Sequence, residues 1–193
     1  MNNENTEFNF SGKCKTILEN NGYNVKIVKG ENVTIKMMME TNWEKDLIIF
    51  RMHSGVFEND IWFFTGEKYG NSKYVLEQLS GLVNIGKCPS YNYTVNTFSS
   101  KFIENYMDFK EDSTMILMGC NSLEELRFAD AFHNKKCNVI IGWSGSISIN
   151  ETDTAILELI TRWTDGDSMK SIVDEINTSE INSEKEVLEI SIR

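Results

Sequence analysis

Three continuous apolar runs constrain the fold of this chain more than any other feature. They are "DLIIFRM" at 46–52, "STMILMG" at 113–119 and "NVIIGW" at 138–143. Unbroken runs of this kind are typical of strands in a parallel sheet, because such strands are buried on both faces. Segments with helical apolar spacing follow the second and third runs, at 122–134 and 150–163. Strands that alternate with helices predict an α/β sandwich with a mainly parallel sheet.

Weaker patterns complete the expected order of elements. A capping box formed by Ser122 and Glu125 predicts the start of the helix at 122–134. Thr34 is suited to cap a short helix at 33–42. Further helices are expected at 11–20, 72–83, 99–109 and 168–176, and further strands at 23–28, 61–66, 91–96 and 186–193.

Length and charge limit the class of protein. The chain has 193 residues and shows no internal boundary, which predicts one domain at 11–193 behind a polar, flexible segment at 1–10. Its net charge is −10, and no basic face suited to nucleic acid is visible. No apolar run is long enough to span a bilayer, and the first residues lack the features of a signal peptide. We therefore expect a cytoplasmic protein that binds neither nucleic acid nor a membrane.

The three strong strands all end in residues that are suited to chemistry. The first runs into His53-Ser54-Gly55, the second into Gly119-Cys120 and the third into Trp143-Ser144. Ligands of open α/β sheets bind beyond the carboxyl ends of the strands. If the first two strands are parallel neighbours, His53 and Cys120 lie at the same edge of the sheet.

Cys120 has the surroundings expected of a nucleophile. It precedes the helix predicted to start at Ser122, whose positive dipole end favours a thiolate. His53 can take and return the thiol proton. Gly55 and Gly119 leave room for a substrate carbonyl, and the Gly55 and Cys120 amides can form an oxyanion hole. The alternative for each residue is structural, since cysteine is often buried and histidine is often hydrogen-bonded in the fold.

Other candidate groups are weaker. His133 lies at a helix end and is interpreted as structural. Asp153 is either a carboxylate that starts a helix or a group that holds a loop near the site. The four cysteines have no C-x-x-C spacing and are expected to be free thiols, and no ligand pair has the short spacing of a zinc site. Gly-rich phosphate loops are absent from the sequence, so neither a metal nor a cofactor is expected.

The two strand-end blocks resemble those of caspase-like cysteine peptidases of clan CD. The blocks are "LIIFRMHSG" and "MILMGCNS", and the stretch 119–163 is similar to the segment after the catalytic cysteine in CHAT and gingipain-like domains. The similarity covers about residues 15–177 and is nearest to small prokaryotic members. It implies a caspase-like three-layer α/β/α fold with His53 as general base and acid and Cys120 as nucleophile.

The chain departs from the family pattern in three places. His-Ser-Gly replaces His-Gly, so either the Ser54 or the Gly55 amide would serve the oxyanion, with Gly119 beside them. Met118 replaces the Asp or Gln that many members use to select the substrate residue before the cleaved bond. A first strand is not evident, so "EFNF" at 7–10, the C-terminal strand or a partner would complete the sheet. The expected substrate pocket consists of Met118, Trp143, Ser144 and Asp153.

Two classes of function follow, and the sequence leaves both open. The first is a cysteine endopeptidase that cleaves a protein or peptide substrate through a His-Cys dyad and an acyl-enzyme, with an activating protein partner as one possibility. The second is a catalytically inactive caspase-like module that binds a protein or peptide, which the absence of a sensor or repeat domain in this sequence favours. A third and weaker candidate is a flavodoxin-like ligand-binding domain, because this sequence contains no phosphate-binding loop.

Overall fold

The structure is a computed structural model that describes residues 9–88, 92–124, 126–179 and 186–193. The helices are α1 (Phe10–Asn20), α2 (Ile35–Glu40), α3 (Val75–Leu79), α4 (Ser100–Tyr106), α5 (Leu126–Asn134), α6 (Ile149–Thr164) and α7 (Met169–Thr178), with a short 3₁₀ helix at Gly30–Asn32. The strands are β1 (Leu47–Phe50), β2 (Ser54–Phe57), β3 (Asp60–Lys68), β4 (Val83–Lys87), β5 (Thr94–Phe98), β6 (Ser113–Leu117), β7 (Cys137–Trp143) and β8 (Leu188–Ile192).

The chain divides into two compact units. A helical unit combines the residues up to Ile27 with Ile147–Glu186, and a sheet unit combines Val28–Ser146 with Val187–Arg193. The single domain expected at 11–193 stays a prediction. No helix among the described residues has both the length and the apolar character needed to cross a membrane.

The first sheet of the sheet unit has the strand order β1-β6-β7-β8. Strands β1, β6 and β7 are parallel neighbours, and β8 runs antiparallel to β7. The three apolar runs therefore form adjacent parallel strands, as expected from their burial pattern. The C-terminal segment closes one side of this sheet, which was one of the alternatives left open by the sequence.

A second, antiparallel sheet has the strand order β2-β3-β5-β4 and was not expected as such. Its first hairpin turns at Glu58 and Asn59, whose φ angles of 52° and 58° are those of a type I′ turn. Two of its strands, β2 and β4, are short and were not predicted. The prediction of a strand at 23–28 is wrong, because this segment belongs to neither of the two sheets that the described residues form.

Phenylalanine rings join the two sheets in one core. The ring centroid of Phe50 in β1 lies 6.2 Å from those of Phe63 in β3 and Phe98 in β5. Phe63 also stacks on Phe128 of α5 at 5.1 Å. These rings are all buried, and offset or edge-on aromatic pairs at such distances add to the stability that burial provides. The core therefore fixes the antiparallel sheet to the end of β1.

The helical unit consists of α1, α6 and α7. Its helices begin at side-chain caps: Ser148 accepts a hydrogen bond from the Glu151 N–H at the start of α6, and Asn9 accepts one from Gly12 N–H at the start of α1. Residues 1–8 of the segment expected to be flexible lie outside the described residues. Phe10, the last residue of the proposed "EFNF" strand, is instead the first residue of α1.

Candidate functional site

The register of β1 and β6 brings the two catalytic candidates to the same sheet edge. Phe50 and Leu117 are Cα partners in this parallel pair, and the Met118 N–H donates to the Phe50 carbonyl at 2.9 Å. His53 follows Phe50 by three residues, and Cys120 follows Leu117 by three residues. Both candidates thus leave the carboxyl ends of adjacent parallel strands at the same level. The expectation that these two strands are parallel neighbours is confirmed.

The two segments contact each other directly beyond the strands. The Ser54 hydroxyl donates a hydrogen bond to the Cys120 carbonyl at 2.5 Å. A Cβ atom at Gly119 would lie 2.1 Å from Ser54 Oγ and 2.7 Å from the Met52 carbonyl oxygen. No side chain fits at Gly119 without a shift of these atoms. Glycine is therefore required there so that the chain before Cys120 can approach the chain after His53.

The third strand end holds the other side of the Cys120 segment. The Asn121 N–H donates to the Gly145 carbonyl at 2.8 Å, and the Leu123 N–H donates to the Trp143 carbonyl at 3.0 Å. The buried Ser122 hydroxyl donates to the Leu117 carbonyl at 3.1 Å and accepts from the Trp143 N–H at 3.0 Å. The segment after Cys120 is thereby fixed between the ends of β6 and β7.

The helix expected at Ser122 begins later. Helix α5 starts at Leu126, and Ser122 uses its hydroxyl to join β6 to β7 instead of capping the helix. Glu125, the other half of the predicted capping box, lies outside the described residues. The dipole effect falls off within one helical turn, and Cys120 lies six residues before α5. The expected support of a Cys120 thiolate by this helix is therefore corrected.

All four cysteines lie in the described part of the chain, and three of them are buried. Cys14, Cys88 and Cys137 are buried, whereas Cys120 is partly exposed. Burial raises the pKa of the Cys14 thiol to about 11. Burial likewise raises the pKa of Cys137 to about 11. Cys120 is thus the one of the four cysteine residues that is not buried.

The hairpin register distinguishes the two candidate amides for an oxyanion. The Phe64 N–H donates to the His53 carbonyl at 2.9 Å, while Ser54 pairs with Phe63 and Gly55 with Trp62. Hydrogen-bonded and non-hydrogen-bonded pairs alternate along an antiparallel ladder. The Gly55 N–H therefore points toward β3, and the Ser54 N–H points away from it. Sequence reasoning left this choice open because it did not include the β2–β3 hairpin.

The four residues expected to line a substrate pocket differ from one another in burial and in the unit to which they belong. The side chains of Met118 and Trp143 are buried, with 4% and 0% exposure. Ser144 is half-buried and donates from its N–H and its hydroxyl to the Val187 carbonyl. Asp153 is a buried residue of α6 in the helical unit. A pocket that contains these residues stays a prediction.

His133, interpreted above as structural, has both ring nitrogens engaged within the sheet unit. Nδ1 lies 2.8 Å from the Cys137 carbonyl oxygen, and Nε2 lies 2.8 Å from Ser191 Oγ. A carbonyl can only accept, so Nδ1 is the protonated nitrogen and the Ser191 hydroxyl can donate to Nε2. The imidazole therefore ties the end of α5 to β7 and β8.

Neither a metal centre nor a known relative adds a further assignment. Among the residues that the structure describes, no three His, Cys, Asp or Glu side chains are grouped so that they could hold a metal ion. Comparisons of the chain with protein-family models, curated proteins and solved structures found no match.

Proposed function

We propose that this chain is a cysteine endopeptidase with a caspase-like three-layer α/β/α fold, in which His53 and Cys120 form the catalytic dyad. The observation that carries the proposal is the β1–β6 register. Because Phe50 and Leu117 are partners, His53 and Cys120 follow paired positions by the same number of residues. The partial exposure of residue Cys120 supports the same assignment, since the other three cysteines are buried.

The proposed reaction is an acyl transfer followed by hydrolysis. His53 takes the proton from Cys120 Sγ, and the thiolate forms a bond to the carbonyl carbon of a peptide. The C–N bond breaks as the imidazolium gives its proton to the leaving amine, which leaves a thioester on Cys120. Water then gives a proton to His53 and attacks the thioester, and the products are a free carboxylic acid and the restored thiol.

The Ser54 amide is the proposed donor to the oxyanion. Its N–H is directed away from β3, whereas the Gly55 N–H belongs to the ladder. The Ser54 hydroxyl donates to the Cys120 carbonyl, which keeps this amide next to the nucleophile's own backbone. A donor fixed in advance in this way stabilises the charge that develops on the carbonyl oxygen.

The test compares Cys120→Ala and His53→Ala with Cys14→Ala. A mixture of peptides from a denatured protein is incubated with each variant, and new termini are identified by mass spectrometry. We expect either dyad substitution to lower cleavage by at least about 1000-fold. The Cys14→Ala control should cleave like the unaltered chain. Equal cleavage by the Cys120→Ala variant, or no cleavage by an unaltered chain shown by circular dichroism to be folded, would contradict the proposal.

An inactive module that binds a protein or peptide is the second candidate. The late start of α5 favours it, because the N-terminus of α5 then lies six residues beyond Cys120 instead of two. The discriminating measurement is the rate at which chloroacetamide alkylates Cys120 in the unaltered chain and in His53→Ala. A dyad predicts a slower rate in the variant at neutral pH, whereas equal rates would favour the binding module.

A further inference from the structure

We propose that the substrate binds as an extended peptide strand added to the open edge of β2. The proposal rests on the proposed peptidase function and names how that site would recognise its substrate. Strand addition of this type uses main-chain hydrogen bonds for affinity and alternate side chains for selectivity.

The register of the β2–β3 hairpin leaves main-chain groups of β2 available. Ser54 and Val56 occupy non-hydrogen-bonded positions opposite Phe63 and Ile61, so their N–H and C=O groups point away from β3. Strand β2 is the first strand of its sheet in the order β2-β3-β5-β4. An extended peptide can therefore pair with Ser54 and Val56 without breaking a bond of the hairpin.

The surroundings of β2 are apolar and open. The side chains of Val56 and Phe57 are 46% and 52% exposed. A Cβ atom placed on Gly55 would meet nothing within 4 Å. Strand edges are usually protected by charged residues or proline, and the sequence Ser-Gly-Val-Phe has neither. The edge of β2 therefore lacks the usual protection against an added strand.

The opposite edge of the same sheet differs in this respect. Leu82 and Ser99 form a hydrogen bond just before β4, which places Ile85 at a non-hydrogen-bonded position opposite Asn96. The outward N–H of Ile85 donates to Oδ1 of the preceding residue, Asn84, at 2.8 Å. Strand β4 also ends in a charged residue, Lys87. At β4 a side chain thus accepts an outward N–H and a charged residue is present, whereas among the described residues no side chain accepts from the N–H of Ser54 or Val56.

The edge of β2 begins next to the proposed dyad, so we infer that the peptide bound at this edge is the substrate. Ser54, the first residue of the open edge, donates its hydroxyl to the Cys120 carbonyl. In this arrangement the carbonyl of the cleaved bond accepts a hydrogen bond from the Ser54 N–H. The peptide residue two positions further along then pairs with Val56, because two extended strands have the same rise per residue. Apolar or β-branched side chains pack best on exposed Val56. The inferred substrate class is therefore an extended, apolar peptide segment.

The first experiment uses two reagents that alkylate Cys120, with the thiolate sulfur displacing chloride in both. Acetyl-Val-Val-Ala-Leu chloromethyl ketone carries an extended apolar peptide, and chloroacetamide carries none. The variant Val56→Pro removes the outward N–H of β2 at an edge position where proline is tolerated. The matched control, Ile85→Pro, removes an outward N–H from the other edge, at a residue with a similar exposure of 51%.

The expected result is a peptidyl reaction at least about 10-fold slower in Val56→Pro, which corresponds to the loss of about one hydrogen bond. Chloroacetamide should react at unchanged rates with both variants, and Ile85→Pro should react normally with the peptidyl reagent. An unchanged peptidyl rate in Val56→Pro would overturn strand addition. If His53→Ala reacts with both reagents as fast as the unaltered chain does, the proposed peptidase function itself fails.

A second experiment uses only the unaltered chain, so it does not depend on the folding of a variant. Each backbone nitrogen of the peptidyl reagent is methylated in turn, and the alkylation rate of Cys120 is measured. Strand addition predicts losses at alternate positions, because every second N–H of an added strand points toward β2. Equal rates for all methylated reagents would overturn the inference while leaving the dyad intact.

Discussion

Phe50 and Leu117 are partners across the parallel strands β1 and β6, although 67 positions separate them in the chain. Adjacent strands lie about 4.8 Å apart, so this pairing brings the segments that carry His53 and Cys120 side by side. Beyond the strands, the Ser54 hydroxyl contacts the Cys120 carbonyl, and the missing side chain of Gly119 leaves room for Ser54 Oγ and the Met52 carbonyl oxygen. The candidate site therefore depends on a close approach of two main chains, which substitutions can test.

Gly119→Ala is expected to destabilise the fold. The added methyl group would lie 2.1 Å from Ser54 Oγ and 2.7 Å from the Met52 carbonyl oxygen, so the two segments must separate. We expect a loss of about 1–3 kcal/mol in the free energy of unfolding, as for other overpacked sites. Denaturant unfolding measures it, with Gly55→Ala as the control because its methyl group meets no atom within 4 Å. Equal stability of the two variants would show that the close approach is absent.

Ser122→Ala is expected to weaken the connection between β6 and β7. Its hydroxyl is buried, donates to the Leu117 carbonyl and accepts from the Trp143 N–H. Loss of the hydroxyl leaves a buried N–H without this partner, at a cost of about 1–3 kcal/mol. Thermal or denaturant unfolding tests this against Ser72→Ala, which alters an exposed serine. A Ser122→Ala variant as stable as the control would contradict the bridging role.

The cysteines are expected to react in a fixed order with iodoacetamide. Burial raises the pKa of Cys14 and Cys137 to about 11, which leaves about a hundred-fold less thiolate at neutral pH than an ordinary cysteine has. Cys88 is also buried, and Cys120 is partly exposed. Peptide mass spectrometry after brief labelling should find the adduct on Cys120 first. In urea all four should react, and early labelling of Cys14 or Cys137 in the folded chain would contradict the burial.

The stability of the fold at alkaline pH is expected to depend on Tyr74. Burial, together with the hydrogen bond that its hydroxyl donates to Glu67, raises the pKa of Tyr74 to about 12. A raised pKa in the folded state means that the stabilisation is complete below the unfolded pKa of about 10 and is lost as the pH rises toward 12.

The measurement is the difference in free energy of unfolding between the unaltered chain and Tyr74→Phe. This difference should be constant from pH 7 to about pH 10 and should shrink between about pH 10 and about pH 12, because phenylalanine has no proton to lose. The two chains share every other group that titrates at alkaline pH, so the contributions of those groups cancel in the difference. A difference that stays constant through pH 12 would contradict the contact with Glu67.

Several elements were predictable because their signals are local. The Thr34 hydroxyl accepts from the Met37 N–H at 3.0 Å and caps α2 as expected, since capping involves only neighbouring residues. The helices α6 and α7 follow their apolar spacing. The strand predicted at 23–28 fails because alternation describes a half-buried strand but does not provide a neighbouring strand to pair with.

The start of α5 shows how tertiary contacts override a local signal. Ser122 and Glu125 match a capping box in the sequence, but the Ser122 hydroxyl is taken by backbone groups of Leu117 and Trp143. The residue between Cys120 and Ser122, Asn121, adopts a left-handed φ of 56°, which directs the chain into a turn before the helix. The prediction failed because the competing partner, Trp143, is 21 residues away.

The sequence by itself determined the three apolar strands β1, β6 and β7 and the helices α6 and α7, since apolar runs and spacing are properties of neighbouring residues. It also indicated His53 and Cys120 as the residues that follow two buried strands. Only the tertiary structure decided that β1 pairs with β6, that the Ser54 amide rather than the Gly55 amide points away from β3, and that β2 is the first strand of the antiparallel sheet. Backbone hydrogen bonds between distant segments make these choices, and every residue has nearly the same backbone donor and acceptor, so the residue types alone do not specify the partner.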